Sequence, residues 1–196
     1  MREAIREGTE ARLVAAGEEV FSEQGVQAAR VEDIAERAGV AVGTLYNYFG
    51  DREGLLSAIA KIRRAELVEM LDESLEASAR LPWQEQLAHF LRTTERHFDE
   101  RRRFYSLALQ SDVPTTRKNC ERAAALRDFL QRAETLVRRG VKEGLLDRKN
   151  HDLYSVFLVG MLRATMLHAM SEDREGSMAK LIDPMVAFFL NGATSR

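Results

Sequence analysis

The stretch IAERAGVAVGTLYNYF, residues 34–49, ends one helix and starts another within a few residues. Just upstream, Val31, Ile34, Ala35 and Ala38 recur at helical spacing and predict a short helix over Val31–Ala38. Gly39 stops it, because a positive φ costs glycine nothing. A second short helix, Val42–Phe49, follows at once. Two short helices joined by so tight a turn cross steeply, and in this helix-turn-helix arrangement the second helix can enter a DNA major groove about 12 Å wide.

The composition of that second helix suits the task. Leu45 and Phe49, four apart, anchor it, which leaves Val42, Gly43, Thr44, Tyr46, Asn47 and Tyr48 on its other faces. Gly43 permits close backbone approach. Thr44 can bond a phosphate or touch a thymine methyl, Asn47 can bond a base edge, and the hydroxyls of Tyr46 and Tyr48 reach phosphates without adding charge. Arg52, at the start of the next helix, adds a charged phosphate contact beside the N-terminal amides. The residues before the two short helices, Arg30 and Ala41, carry no side-chain acceptor, and each missing cap costs about 1 kcal/mol. Arg30 can itself meet a phosphate.

Outward from this segment the chain reads as all α. Leu13, Ala16, Gly17, Val20 and Phe21 share one face of a helix from about Glu10 to Gln24, with Gly25 as its stop. Asp51 can cap a long helix that continues through Leu55, Leu56, Ile59, Leu67 and Leu71 to about Ala79. Pro82, Pro114 and Pro184 punctuate the remainder, with candidate helices near 83–98, 102–110, 116–143, 151–171 and 176–190. No alternating strand pattern, internal repeat or low-complexity stretch interrupts them.

With 196 residues and 45% hydrophobic content the chain can bury a core unaided. Its single cysteine, Cys120, forms no internal disulfide, so the expected setting is a reducing compartment, the cytoplasm. The N-terminal stretch lacks the apolar run of a secretory signal. The most apolar run, 156–170, is interrupted by Arg163 and His168 and falls short of the ~20 residues of a membrane span. No membrane partner is expected.

Bulk charge argues against a nucleic-acid partner. The whole chain carries a net −2, and its first 54 residues set six arginines against eleven acids, a net −5. Locally the balance reverses, since from Arg37 to Gly50 there is one base and no acid. Placement therefore has to outweigh the total.

Three elements, AAGEEVFSEQG at 15–25, VEDIAERAGVAVGTLYNYF at 31–49 and GDREGLL at 50–56, occur in order, and together the first ~56 residues resemble the DNA-binding domain of the TetR/AcrR family of transcriptional regulators. The resemblance implies base-facing positions at Val42, Gly43, Thr44 and Asn47, and phosphate-facing ones at Thr44, Tyr46, Tyr48 and Arg52. Two residues depart from the family pattern: Arg30 stands where a capping threonine is usual, and Ala41 where serine or threonine is common. The later stretch RRGVKEGLLDRKNHDLYSVFLVGMLRATM, 138–166, is similar to the family's penultimate-helix region. The expected organisation is an N-terminal three-helix helix-turn-helix DNA-binding domain, 1–54, and a C-terminal helical domain for effector binding and dimerisation, 55–196.

Along 151–171 one stripe holds Leu153, Val156, Phe157, Gly160, Met161 and Ala164, and another holds Tyr154, Leu158, Leu162, Met166 and Ala169. A helix apolar on two faces needs partners on both. Leu181, Met185, Phe188 and Phe189 add further apolar surface, so Leu153, Phe157, Met161 and these four are expected at a four-helix homodimer interface. A dimer would read an imperfect palindrome in double-stranded DNA, with half-sites about one turn, ~34 Å, apart. The resemblance also implies a small, mostly apolar effector, of identity unknown, in a central pocket drawn from Met70, Trp83, Phe90, Thr94, Phe98, Phe104, Tyr105 and Phe129. By the family's commoner mode the protein is a repressor released by that effector.

An enzyme would need a site, and none is legible. His89 and His97 lie eight residues apart on one expected helix, about 12 Å of rise and too far to share a metal. His151 and His168 belong to no paired motif. Cys120 has Lys118 and Arg122 nearby but no histidine to activate it. No catalytic residue, metal site or cofactor is expected. The alternatives are a helical protein-interaction module and a redox-responsive regulator acting through Cys120.

Overall fold

Apolar spacing at 3.6 residues turns into helix throughout the computed structural model, which describes residues 2–102, 105, 116–171 and 179–193. These hold eight helices: α1 (Arg2–Gln24), α2 (Val31–Ala38), α3 (Val42–Phe49), α4 (Arg52–Ala77), α5 (Trp83–Glu100), α6 (Thr116–Lys142), α7 (His151–Ser171) and α8 (Ala179–Ala193). No extended strand occurs among the described residues. The candidate helix at 102–110 falls mostly outside them.

The described residues form two compact units. One is built on residues up to Arg64, together with Tyr105 and 116–122; the other comprises Ala65–Arg102 and the described residues from 123 onward. In the first, Leu13, Val20 and Phe21 of α1, Ile34 of α2, Leu45 of α3, and Leu55 and Ile59 of α4 are fully buried in one cluster. That cluster carries the unit past the boundary expected at residue 54, because α4's first two turns supply Leu55, Leu56 and Ile59 to it. Arg63 of α4 adds a largely buried ion pair to Glu18 of α1, its Nε lying 3.1 Å from Oε2.

The turns follow the sequence. Gly39 adopts φ 66° and ψ 39°, and its N–H donates to the carbonyls of Ala35 and Glu36, closing α2 in the left-handed conformation. Neither Arg30 nor Ala41 makes a side-chain cap. Asp51 does: its Oδ1 accepts the Gly54 N–H at 2.6 Å. Glycine is required at 54 for a second reason, since a Cβ there would collide with the Phe49 carbonyl oxygen.

In the second unit α5 packs on α8, and α8 on α7. Trp83 is almost wholly buried, and its Nε1 donates to the Leu136 carbonyl at 2.8 Å. Arginines near the ends of α5 and α6 tie elements together. Arg139 donates to the carbonyls of Ala79 and Leu81, to Gln86 Oε1 and to Glu143. Arg101 pairs with Glu66, and Arg102 donates to the Ala169 carbonyl. Arg138 stays on the surface with Glu134, one turn away.

Glu95 of α5 is nine-tenths buried. Burial, then the charge of Asp99, pushes its carboxyl above the usual carboxylate range, against a smaller downward pull from Arg96. The folded chain therefore holds this proton more tightly than the unfolded chain. Its contribution is present in full below the ordinary carboxylate range and is lost as pH rises through the raised value. Glu95→Gln should raise the melting temperature at neutral pH. The gain should shrink as pH falls toward the ordinary carboxylate range, and thermal unfolding of both proteins across pH checks it.

Candidate nucleic-acid interface

An eight-residue helix does not persist alone in water, so α3 depends on what holds it. Leu45 is its one fully buried side chain, and Phe49 and Tyr48 pack half-buried against the same cluster. The rest of α3 is left outward: Gly43 and Asn47 are exposed, Tyr46 is 48% exposed, and Val42 and Thr44 are partly covered. Groups that bond well and bury poorly thus stand on one short helix, close behind the Gly39 turn.

Two groups expected at phosphates are taken up within the fold. The Tyr48 hydroxyl donates to the Arg6 carbonyl on α1 at 3.3 Å, and the Arg6 guanidinium lies over the Tyr48 ring, 5.9 Å from its centroid. Arg52 Nη1 donates to the carbonyls of Gln27 at 2.8 Å and Ala29 at 3.2 Å, closing the α1–α2 loop onto the start of α4. Arg30 remains on the surface, 3.6 Å from Glu32. Arg6 was invisible to the sequence reading, because the apolar stripe that marks α1 begins only near Leu13 while the helix itself begins at Arg2.

Six of the eleven acids in the first 54 residues have a partner, Glu32 with Arg30 among them. Arg37, the one base between 37 and 50, turns to Glu23 at 2.8 Å and Glu19 at 3.7 Å. The Glu23 hydrogen bond holds its pKa above the usual arginine value. Glu18 pairs with Arg63, Asp33 accepts from Gln24 at 3.1 Å, and Asp51 caps α4. The net −5 is spread over the rest of the unit, because α3 itself carries no charged residue.

The expected pocket residues do not share one setting. Trp83, Phe90, Thr94 and Phe129 are core: the Phe90 and Phe129 rings stand 5.3 Å apart, and the Thr94 hydroxyl donates to the Phe90 carbonyl. Met70 and Phe98 are half-buried. Tyr105 packs on the first unit's cluster, and Phe104 lies outside the described residues. The two stripes of α7 separate. Tyr154, Leu158, Leu162, Met166 and Ala169 face inward, while Leu153, Val156 and Phe157 are about half exposed. On α8, Phe188 is 72% exposed and Leu181 is half-buried, as is Met161 on α7. Met185 and Phe189 turn into the chain's own core, where Phe189 meets Tyr154 edge-on at 6.1 Å and Met185 Sδ accepts from the Thr165 hydroxyl.

Among the described residues no three His, Cys, Asp or Glu side chains gather as a metal site, and no helix is long and apolar enough to cross a membrane. His89 Nδ1 lies 2.9 Å from the Ser74 hydroxyl, and His97 is buried. Cys120 lies in α6, its side chain outside the described residues.

Residues 13–59 match the family described as bacterial regulatory proteins, tetR family. The chain is 23% identical over 186 residues to the fatty acid metabolism regulator protein of Bacillus subtilis (strain 168), covering 92% of this chain and 93% of that one. It is 28% identical over 159 residues to the HTH-type transcriptional regulator AcrR of Shigella flexneri, covering 65% and 72%. In fold it is similar to the crystal structure of the transcriptional regulator FadR from Bacillus subtilis in complex with stearoyl-CoA, with a TM-score of 0.82 at 20% identity over 93% of this chain and 98% of that one.

The Arg52 clamp has a measurable consequence. Arg52→Ala should lower unfolding stability by about 1 kcal/mol, as loss of a charged donor to two partly solvated carbonyls implies. Arg52→Lys should recover part of it, and urea denaturation of the three proteins reads the difference.

Proposed function

We propose that this chain, which belongs to the TetR family of bacterial transcriptional regulators, is a repressor that binds a palindromic operator as a homodimer and is released by a small, mostly apolar effector. It is a regulator and not an enzyme. The observation that carries the reading is the outward row of α3, Gly43, Thr44, Tyr46 and Asn47, standing behind the buried Leu45. In this reading Val42, Gly43, Thr44 and Asn47 meet base edges, while Thr44, Tyr46 and Arg30 meet phosphates. The internal bonds of Tyr48 and Arg52 favour a positioning role for both.

The dimer is supported by Leu153, Val156 and Phe157 of α7 and Phe188 of α8, large apolar side chains left about half exposed or more. Covering such surface is favourable by roughly 25 cal/mol per Å². The second copy of the chain supplies a matching face by two-fold symmetry. Two recognition helices about one turn, ~34 Å, apart then meet successive major grooves. An effector in the second unit would act by favouring a pose of α4 in which the recognition helices no longer match that spacing, through its differential affinity for the two states. The stearoyl-CoA bound by FadR makes a long-chain acyl thioester the first candidate to test.

In vitro selection from random duplex DNA should enrich a palindrome with the wild type and none with Thr44→Ala/Tyr46→Ala. Enrichment by both proteins alike, or by neither with and without acyl thioester, would overturn the α3 reading. A saturating acyl thioester should weaken binding to the selected site, and unchanged affinity would remove that ligand class. Sedimentation at about micromolar concentration should give a dimer for the wild type and a monomer for Phe157→Glu/Phe188→Glu, with weaker DNA binding by the latter.

A further inference from the structure

We infer that Arg6, at the start of α1, is a DNA-backbone contact that Tyr48 of α3 holds in place, an inference that rests on the DNA-binding reading above. The first turns of α1 do little for the core. Arg6, Glu7, Gly8 and Glu10 are exposed, and the buried stripe begins at Leu13. Yet the helix extends back to Arg2, and Tyr48 fastens it at Arg6 in two ways: the hydroxyl donates to the Arg6 carbonyl, and the ring lies beneath the guanidinium.

The chemistry separates the roles of the two side chains. By giving its proton to a carbonyl, the Tyr48 hydroxyl has none left to offer a phosphate. The Arg6 guanidinium carbon lies over the ring, 5.9 Å from its centroid, and among the described residues no hydrogen bond or ion pair takes up its planar N–H groups. Those planar donors are the ones that match two phosphate oxygens. Among the described residues Arg6 makes no ion pair, although Glu7 and Glu10 lie on the same helix. Its position fits as well. Tyr48 stands four residues after Thr44 and so on the same side of α3, which places a cation beside the row expected to meet the backbone. The phosphate bond expected of the tyrosine passes to the arginine it carries.

The test uses the full chain and the duplex recovered by selection, with affinity measured across salt concentrations. Arg6→Gln should weaken binding similarly on all sequences, and the slope of log K against log salt should fall by about 0.9 for each half-site. Arg6→Lys should keep the slope. Tyr48→Phe, which retains the ring, should also keep it, whereas Tyr48→Leu should reproduce the Arg6→Gln slope. Circular dichroism of each variant should match the wild type. An Arg6→Gln protein with unchanged affinity and slope would overturn the inference. So would weaker affinity at an unchanged slope, the mark of a merely structural role for α1. A wild type that enriches no duplex would overturn the DNA reading and this inference with it, an outcome distinct from failure of the Arg6 variants alone.

Discussion

Burial of Leu45 is the constraint on which the DNA-facing surface depends. α3 is too short to be helical without tertiary contacts, and Leu45 is its only fully buried side chain. The helix is therefore anchored at Leu45, with Tyr48 and Phe49 half-buried beside it, and leaves Gly43, Tyr46 and Asn47 exposed. The attachment holds because its ends are fixed independently. Gly39 sets the entry through a left-handed turn, and Asp51 fastens the start of α4 directly after the exit. Tyr48 and Arg52 add ties to α1 and to the α1–α2 loop. A surface built to bond elsewhere is held rigid by neighbours rather than by its own packing.

The same economy governs charge. The first unit is acid-rich by count, yet six of the eleven acids in its first 54 residues serve its own arginines, amides and amide side chains. The exposed pairs among them, such as Arg37 with Glu23, add little stability. Their larger effect is on the field, because a carboxylate beside an arginine repels a phosphate less than a free one does. Charge summed along a sequence weighs every acid equally, whereas a duplex would meet only those left without a partner on its side of the molecule.

Much of the fold was legible in the residues. The bounds of α2 and α3, the left-handed Gly39, the Asp51 cap and the missing caps at Arg30 and Ala41 agree with the sequence, since each rests on local chemistry. The start of α1 was not legible, because Arg6, Glu7, Gly8 and Glu10 are exposed and apolar periodicity is silent there. The engagement of Tyr48 and Arg52 was hidden for another reason: their acceptors are backbone carbonyls 42 and 25 residues away for Arg6 and Gln27, and a carbonyl has no sequence signature. Both stripes of α7 were visible, but which one faces the chain's own core was not. Periodicity defines faces without orienting them, and Met185 and Phe189 turned inward with Tyr154.

The contact between Gly54 and the Phe49 carbonyl bears on how this module could be retargeted. Anyone diversifying α3 and its flanks to select new operator preferences would treat 50–56 as a free connector. At Gly54 it has no clearance. A side chain at 54 would re-aim α4 relative to α3, so any library varying that position would mix changes in base recognition with changes in helix presentation. Randomising 42–47 with 54 held fixed would keep the two apart.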